Sequence, residues 1–146
     1  MYTVKEVNLS YPRQHLVNSK KVSCSSNSYE VLREVWDDDL DVRESFWVLY
    51  LNNANQIKCA YQLSKGGITG TVADVRMIFS VALKTLSTSL VLAHNHPSGN
   101  LKPSHSDRVL TNKMRESGQL LDIVVLDHLI LSPNDSYLSF ADEGLL

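Results

Sequence analysis

The sequence predicts an α/β (α+β) protein in which helices flank a mixed β-sheet. Short β-branched and aromatic runs alternate with segments of helical periodicity, and the run at 45–51 shows no apolar–polar alternation, as in a strand covered on both faces. The 146 residues, 43% of them hydrophobic, can enclose one core without disulfides. We therefore expect one domain at 28–146, preceded by an extension at 1–27.

The N-terminal part contains one strand and one helix by these patterns. A strand is predicted around 2–9, within the extension. Asn27 and Glu30 are spaced as in a capping box, and the apolar residues that follow recur at helical spacing, which predicts a helix over 28–36. The acidic run at 37–41 is interpreted as a solvated helix exit.

A hairpin follows the acidic run. The segments 45–51 (SFWVLYL) and 56–63 (QIKCAYQL) have strand composition, and asparagines between them supply turn chemistry. The glycine-rich segment at 64–71 lacks the spacing of a phosphate-binding loop, so it is predicted to be an ordinary loop.

The rest of the chain completes the sheet and its helical cover. Thr71 and Asp74 are candidate caps for a helix over 72–86, and Gly118 is the predicted C-cap of a second helix. The remaining predicted elements are a strand at 88–93, that second helix at 105–117, and one or two strands at 122–131.

The sequence HNHPSGN after the strand at 88–93 carries the first sign of chemistry. Side chains two positions apart in a strand point to the same side, so His94 and His96 are predicted to project together, with Asn95 facing away. Pro97 and the residues after it break the strand, which places the pair where a site can open to solvent.

Ser104 and Asp107 extend the pattern to H-x-H-x7-S-x-x-D. They have the features of a helix start, with the serine as N-cap and the acid favoured by the helix dipole. That start would bring the Asp107 carboxylate to His94 and His96. Three such ligands leave a fourth position free, as in catalytic zinc sites, although the ligand types also fit non-haem iron.

With Glu44 upstream, these residues resemble the JAB/MPN metalloprotease domain, specifically its bacterial RadC-like branch. The branch signature HNHPSG stands at 94–99, and the strings RESFWVLYLN, KGGITGT, LDHLIL and YLSFADEG are also similar to RadC. The resemblance runs from Glu44 to Phe140. It implies a sandwich fold similar to cytidine deaminases, zinc as the metal, and a protein or peptide substrate.

The resemblance also implies roles for the site residues. Zinc would be held by His94, His96 and Asp107, Glu44 would be the general base, and the Ser104 hydroxyl would stabilise an oxyanion. On spacing alone, Glu44 is instead a strand-edge partner for an arginine.

Other polar residues receive smaller roles. Five are interpreted as follows: His128 is a core or supporting histidine, His105 points away from the site, His15 is exposed, and Asn95 and Ser98 support the histidines. Cys24 and Cys59 are interpreted as packing cysteines.

Composition and motifs limit the alternatives. The net charge of −2 predicts weak duplex DNA binding, and RadC proteins usually carry an N-terminal helix-hairpin-helix segment where this sequence has a short extension. A DNA-associated module and a scaffold are the alternatives that remain. A contiguous HNH does not fit an HNH nuclease, and a deaminase would need a P-C-x-x-C pair.

With no signal peptide or membrane span in the sequence, we expect a cytoplasmic protein.

Overall fold

The computed structural model describes residues 3–8, 20–66 and 72–146, and it confirms the predicted class. Three helices and five strands alternate along the chain, and their bounds are α1 (Ser25–Val35), β1 (Ser45–Leu51), β2 (Ile57–Lys65), α2 (Val75–Lys84), β3 (Ser89–Asn95), α3 (His105–Leu120), β4 (Val124–Leu131) and β5 (Tyr137–Ser139). None of the helices in these ranges has the length and apolar character needed to cross a bilayer.

The strands form one mixed sheet in the order β2-β1-β3-β4-β5. β1 and β2 are the predicted hairpin, and β1 also pairs antiparallel with β3. The only parallel pair among the described strands is β3 with β4, and α3 makes the crossover between them. The carboxyl ends of β3 and β4 therefore lie side by side, near the start of α3.

The sheet is covered on both faces, as the unbroken apolar runs predict. Successive strand residues point to opposite sides, so β1 and β3 each contribute to two buried clusters. The cluster on one face joins α2 and α3 to β1 and β3, and its members include Phe46, Val48, Tyr50, Ile78, Phe79, Ala82, Leu90, Leu92 and Met114. The cluster on the other face joins α1 and its C-cap to β1, β3 and β4, and its members include Leu32, Trp36, Leu49, Leu51, Val91, Ala93, Leu129 and Leu131.

Several predicted boundaries shift. The first helix begins at Ser25, because Cys24 rather than Asn27 is its N-cap, and Asn27 instead accepts a hydrogen bond from the Ser23 amide. Asp74 caps α2 as predicted, while Thr71 lies outside the described residues. The last predicted segment forms one strand, and the additional strand is β5.

The N-terminal strand prediction is wrong for the part of the extension that is described. Residues 3–8 are exposed and have no regular secondary structure, so the part of the predicted strand that the structure describes is not formed. Residues 20–22 do reach the sheet, where Lys21 pairs with Gln56 in a single antiparallel bridge. The proposed domain boundary after residue 27 stays a prediction.

Gly118 is not the C-cap that its position suggested. The helix continues to Leu120, and Gly118 lies buried inside its last turn without a positive φ. The reason for a glycine is a close approach, because a Cβ there would stand 2.3 Å from the Ile123 carbonyl oxygen. The Ile123 backbone is held this close because its amide donates to the Gly118 carbonyl at 2.8 Å.

Gly118→Ala is expected to destabilise the protein by about 1–3 kcal/mol, the usual cost of forcing extra volume into a packed interior. The obstacle is backbone, so it cannot move aside as a flexible side chain would. Urea denaturation measures the free energy of unfolding, with Gln119→Ala, at an exposed position of the same turn, as the control. A Gly118→Ala protein as stable as the control would contradict this explanation of the glycine.

Candidate metal centre

The two histidines of the H-x-H pattern meet at the carboxyl end of β3. His94 is the second-last residue of the strand, and His96 follows its end. Their Nε2 atoms are 3.0 Å apart. The predicted shared orientation is therefore observed, on the sheet face covered by α3.

Asp107 completes a candidate metal-binding triad with the histidines. Its Oδ1 lies 3.3 Å from His94 Nε2, and its Oδ2 lies 3.5 Å from His96 Nε2. One donor atom from each of the three residues can be chosen so that all lie within 4.8 Å of one another. His94 is buried and the other two are partly exposed, so the triad is open on one side.

A capping box at the start of α3 positions Asp107. The Ser104 amide donates to Asp107 Oδ2 at 2.8 Å, and the Asp107 amide donates to the Ser104 hydroxyl oxygen at 3.1 Å. Both predicted helix-start roles are thus formed. The same carboxylate that satisfies the helix terminus also faces the two imidazoles.

The atoms that converge in the triad are hydrogen-bond acceptors, which fits a bound cation. His96 Nδ1 lies 2.5 Å from the Asn100 carbonyl oxygen, which can only accept, so the ring hydrogen of neutral His96 is on Nδ1. His96 Nε2 then presents a lone pair to the Asp107 carboxylate, another acceptor. A proton or a metal ion between them removes this repulsion, and two imidazoles with a carboxylate are a donor set that zinc accepts.

The contacts of Asp107 with the imidazoles also shift the pKa values of His96 and Asp107. The hydrogen bond with Asp107 raises the pKa of His96 against the opposing effect of burial. Burial disfavours the charge on Asp107, yet the two imidazoles that contact the carboxylate outweigh this effect and hold the pKa of its carboxyl well below the usual range. A proton on His96 Nε2 and a metal ion bound to the triad would therefore compete for the same place.

Glu44 reaches the site because two strands are in register. Phe46 pairs with His94 across β1 and β3, so the chain just before β1 lies beside His96. Asn95 secures this segment. Its side-chain oxygen accepts from the Ser45 amide at 2.7 Å, and its amide nitrogen donates to the carbonyls of Leu40 and Arg43 at 2.7 and 2.8 Å.

An open pocket of about 360 Å³ joins these parts. Its lining includes Glu44, His96 and Ser104, one from each of the three segments that meet here. Among the described residues Glu44 forms no ion pair with an arginine, and Arg33 pairs with Asp135 instead. The strand-edge interpretation of Glu44 is therefore not observed.

The remaining predicted residues fall into clear positions. Ser98 lines the pocket, and His105 is exposed at the first residue of α3. His15 lies outside the described residues. The packing interpretation holds for Cys59, which packs partly buried against the core, but it is wrong for Cys24, which is exposed at the N-cap of α1.

Two residues beside the triad are His128, which was expected to support it, and Thr111, which sequence reasoning missed. His128 Nε2 lies 2.8 Å from His94 Nδ1, and Thr111 Oγ1 lies 2.6 Å from His128 Nδ1. Both are buried, and burial holds the pKa of His128 well below its usual value. The only sequence signal for Thr111 was its position one helical turn after Asp107.

Comparison with known proteins points to one family. A family model described as a RadC-like JAB domain matches residues 22–145. A UPF0758 protein of Flavobacterium johnsoniae is 42% identical over 132 residues, and another of Porphyromonas gingivalis is 38% identical over 141, covering 90% and 97% of this chain. The UPF0758 protein YeeS of Escherichia coli is 45% identical over 104 residues, covering 71%. The chain spans 56%, 61% and 70% of these three relatives.

The metal-free protein should lose stability as pH rises through the titration of His96. Its folded pKa is above the ordinary 6.5. The ion pair with Asp107 therefore stabilises the fold fully below the unfolded pKa, and that contribution disappears above the folded one. Urea denaturation of metal-free protein at about pH 6 and about pH 9 should show the decrease.

An NMR titration of the His96 ring supplies the direct measurement. Asp107→Asn removes the negative charge that raises the pKa of His96, so that pKa should fall in the variant. If the pKa of His96 in the wild-type protein is at or below 6.5, or is the same in Asp107→Asn, the described coupling is absent.

Proposed function

Because the chain belongs to the RadC-like JAB domain family, we propose that it is a zinc-dependent hydrolase that cleaves a peptide or isopeptide bond. The observation that supports the proposal is the pocket that Glu44 and Ser104 line together with His96 of the triad. This arrangement combines a metal-binding set, a carboxylate base and a hydroxyl donor, which are the groups needed to hydrolyse an amide.

Zinc would be held by His94, His96 and Asp107. Bound there, it would supply a Lewis acid that polarises a carbonyl and makes water more acidic. Each imidazole has to carry its ring hydrogen on the nitrogen that faces away from the metal. The His96 Nδ1 contact with the Asn100 carbonyl oxygen fixes this arrangement for His96.

Glu44 would move protons. Its partly exposed carboxylate faces the pocket, where it can take a proton from the attacking water and return that proton to the leaving amine. The hydrogen bonds of Asn95 hold the segment that carries Glu44, so the carboxylate is kept beside His96.

Ser104 would stabilise the charge that develops on the carbonyl oxygen. Its hydroxyl oxygen accepts from the Asp107 amide, and its one hydrogen can be donated either to Ser106 Oγ at 3.4 Å or to an oxyanion in the pocket. A donor fixed by the helix start needs no rearrangement when the oxyanion forms. An open pocket admits a substrate that is part of a larger protein or peptide.

Glu44→Gln should retain zinc while hydrolysis falls by about 10² to 10⁴-fold, the usual worth of general acid–base catalysis. Asp107→Asn should instead weaken zinc binding itself, since it removes a ligand. Metal analysis and hydrolysis of a panel of peptide and isopeptide substrates separate the two roles. Glu34→Gln, at an exposed position of α1, is the matched control. Loss of zinc from Glu44→Gln equal to that of Asp107→Asn would show that Glu44 is not the base.

Ser104→Ala should keep zinc and reduce the rate by roughly 10² to 10³-fold, as expected for one oxyanion donor. It should also lose about 1 kcal/mol of stability, because the N-cap acceptor is removed while the Ser104 amide still holds Asp107. Ser117→Ala, which removes a hydroxyl from the far end of the same helix, is the control. A stability loss without any change in rate would leave Ser104 with a structural role alone.

A further inference from the structure

His128 occupies a buried position with two polar neighbours and two aromatic ones. It has no exposed surface, and its ring centroid lies 4.8 Å from that of Phe140 and 5.6 Å from that of Phe46. Among the described residues, its two ring nitrogens contact only His94 and Thr111. The imidazole is therefore an isolated polar link between a strand and a helix.

The direction of every hydrogen in this link follows from one carbonyl group. Thr111 Oγ1 lies 2.6 Å from the Asp107 main-chain oxygen, which can only accept, so the single hydroxyl hydrogen of Thr111 is donated there. Toward His128 Nδ1 the hydroxyl is then an acceptor, and His128 Nδ1 carries a hydrogen.

A neutral imidazole has one N–H, so His128 Nε2 is an acceptor. It faces His94 Nδ1 at 2.8 Å, which must therefore carry the hydrogen of His94. His94 Nε2 is left with a free lone pair, and that atom is the one directed at His96 and Asp107.

From this chain of bonds we infer that Thr111 and His128 are positioning residues that fix His94 in the tautomer able to bind a metal through Nε2. The inference rests on the proposed zinc site. The link begins at the main chain of Asp107 and ends at the ring of His94, so one set of hydrogen bonds connects the start of α3 with the end of β3. Without it, a hydrogen on His94 Nε2 would have to be displaced before the metal could bind.

Thr111→Val removes the hydroxyl with little change of shape and should lower zinc affinity by about 10 to 100-fold, the usual effect of losing a supporting contact to a metal ligand. Thr111→Ser keeps the hydroxyl and should bind zinc like the wild-type protein. Competition with a chelator measures the affinity of the full chain for zinc. Thr85→Val is the matched control, because Thr85 is also buried and also donates to the carbonyl four residues earlier, but on α2.

His128 has its own pair of variants. His128→Gln supplies a carbonyl oxygen that can accept from His94 Nδ1, whereas His128→Phe keeps an aromatic ring without an acceptor. The glutamine variant should retain more zinc affinity than the phenylalanine variant. If His128→Phe does not fold, the two Thr111 variants carry the test.

NMR of ¹⁵N-labelled, metal-free protein at alkaline pH reports the tautomer directly. In the wild-type protein the His94 hydrogen should be on Nδ1 alone, and in Thr111→Val a second population should carry it on Nε2. A wild-type His94 protonated at Nε2, or a Thr111→Val protein with unchanged zinc affinity, overturns the inference. Failure of the wild-type protein to bind zinc would refute the proposed zinc site, while the tautomer measurement still decides the inference.

Discussion

The Asn95 side chain connects the end of β3, where the two histidines lie, to the segment 40–45, which carries Glu44. It is fully buried, and its oxygen and amide nitrogen bond to three backbone groups of the segment 40–45. A buried amide with every partner in place is strongly directional, since leaving any of those backbone groups unpaired would cost free energy. Glu44 is some fifty residues from the histidines in sequence. Its position beside them depends on these hydrogen bonds of Asn95 and on the pairing of β1 with β3.

The positions of the other site residues depend on β3, which pairs antiparallel with β1 and parallel with β4. β3 and β4 are parallel, so the helix that joins them begins above their carboxyl ends, a common place for ligand sites in open sheets. The capping box then places Asp107, and β4 places His128 behind His94. Of the three candidate ligands, His94 and Asp107 thus lie on elements that also contribute to the core, and His96 directly follows one of them.

Local patterns could predict the parts of the fold that depend on neighbours in sequence. The apolar strands, the shared orientation of His94 and His96, and the helix start at Ser104 are set by spacings of two or three residues. Two features could not be predicted in this way, because they depend on distant contacts. Gly118 is required by the nearby Ile123 carbonyl rather than by a helix end. The part that Thr111 plays depends on its contact with His128 of β4.

The double use of Asp107 bears on how relatives of this protein can be interpreted. A lineage that abandons catalysis still needs a cap for α3, so an acidic residue at this position can persist by selection on folding alone. The Glu44 side chain has no such second duty among the described residues. Its replacement would remove no hydrogen bond or ion pair of the described residues, which makes the residue at this position the more sensitive evolutionary marker of the proposed hydrolase activity.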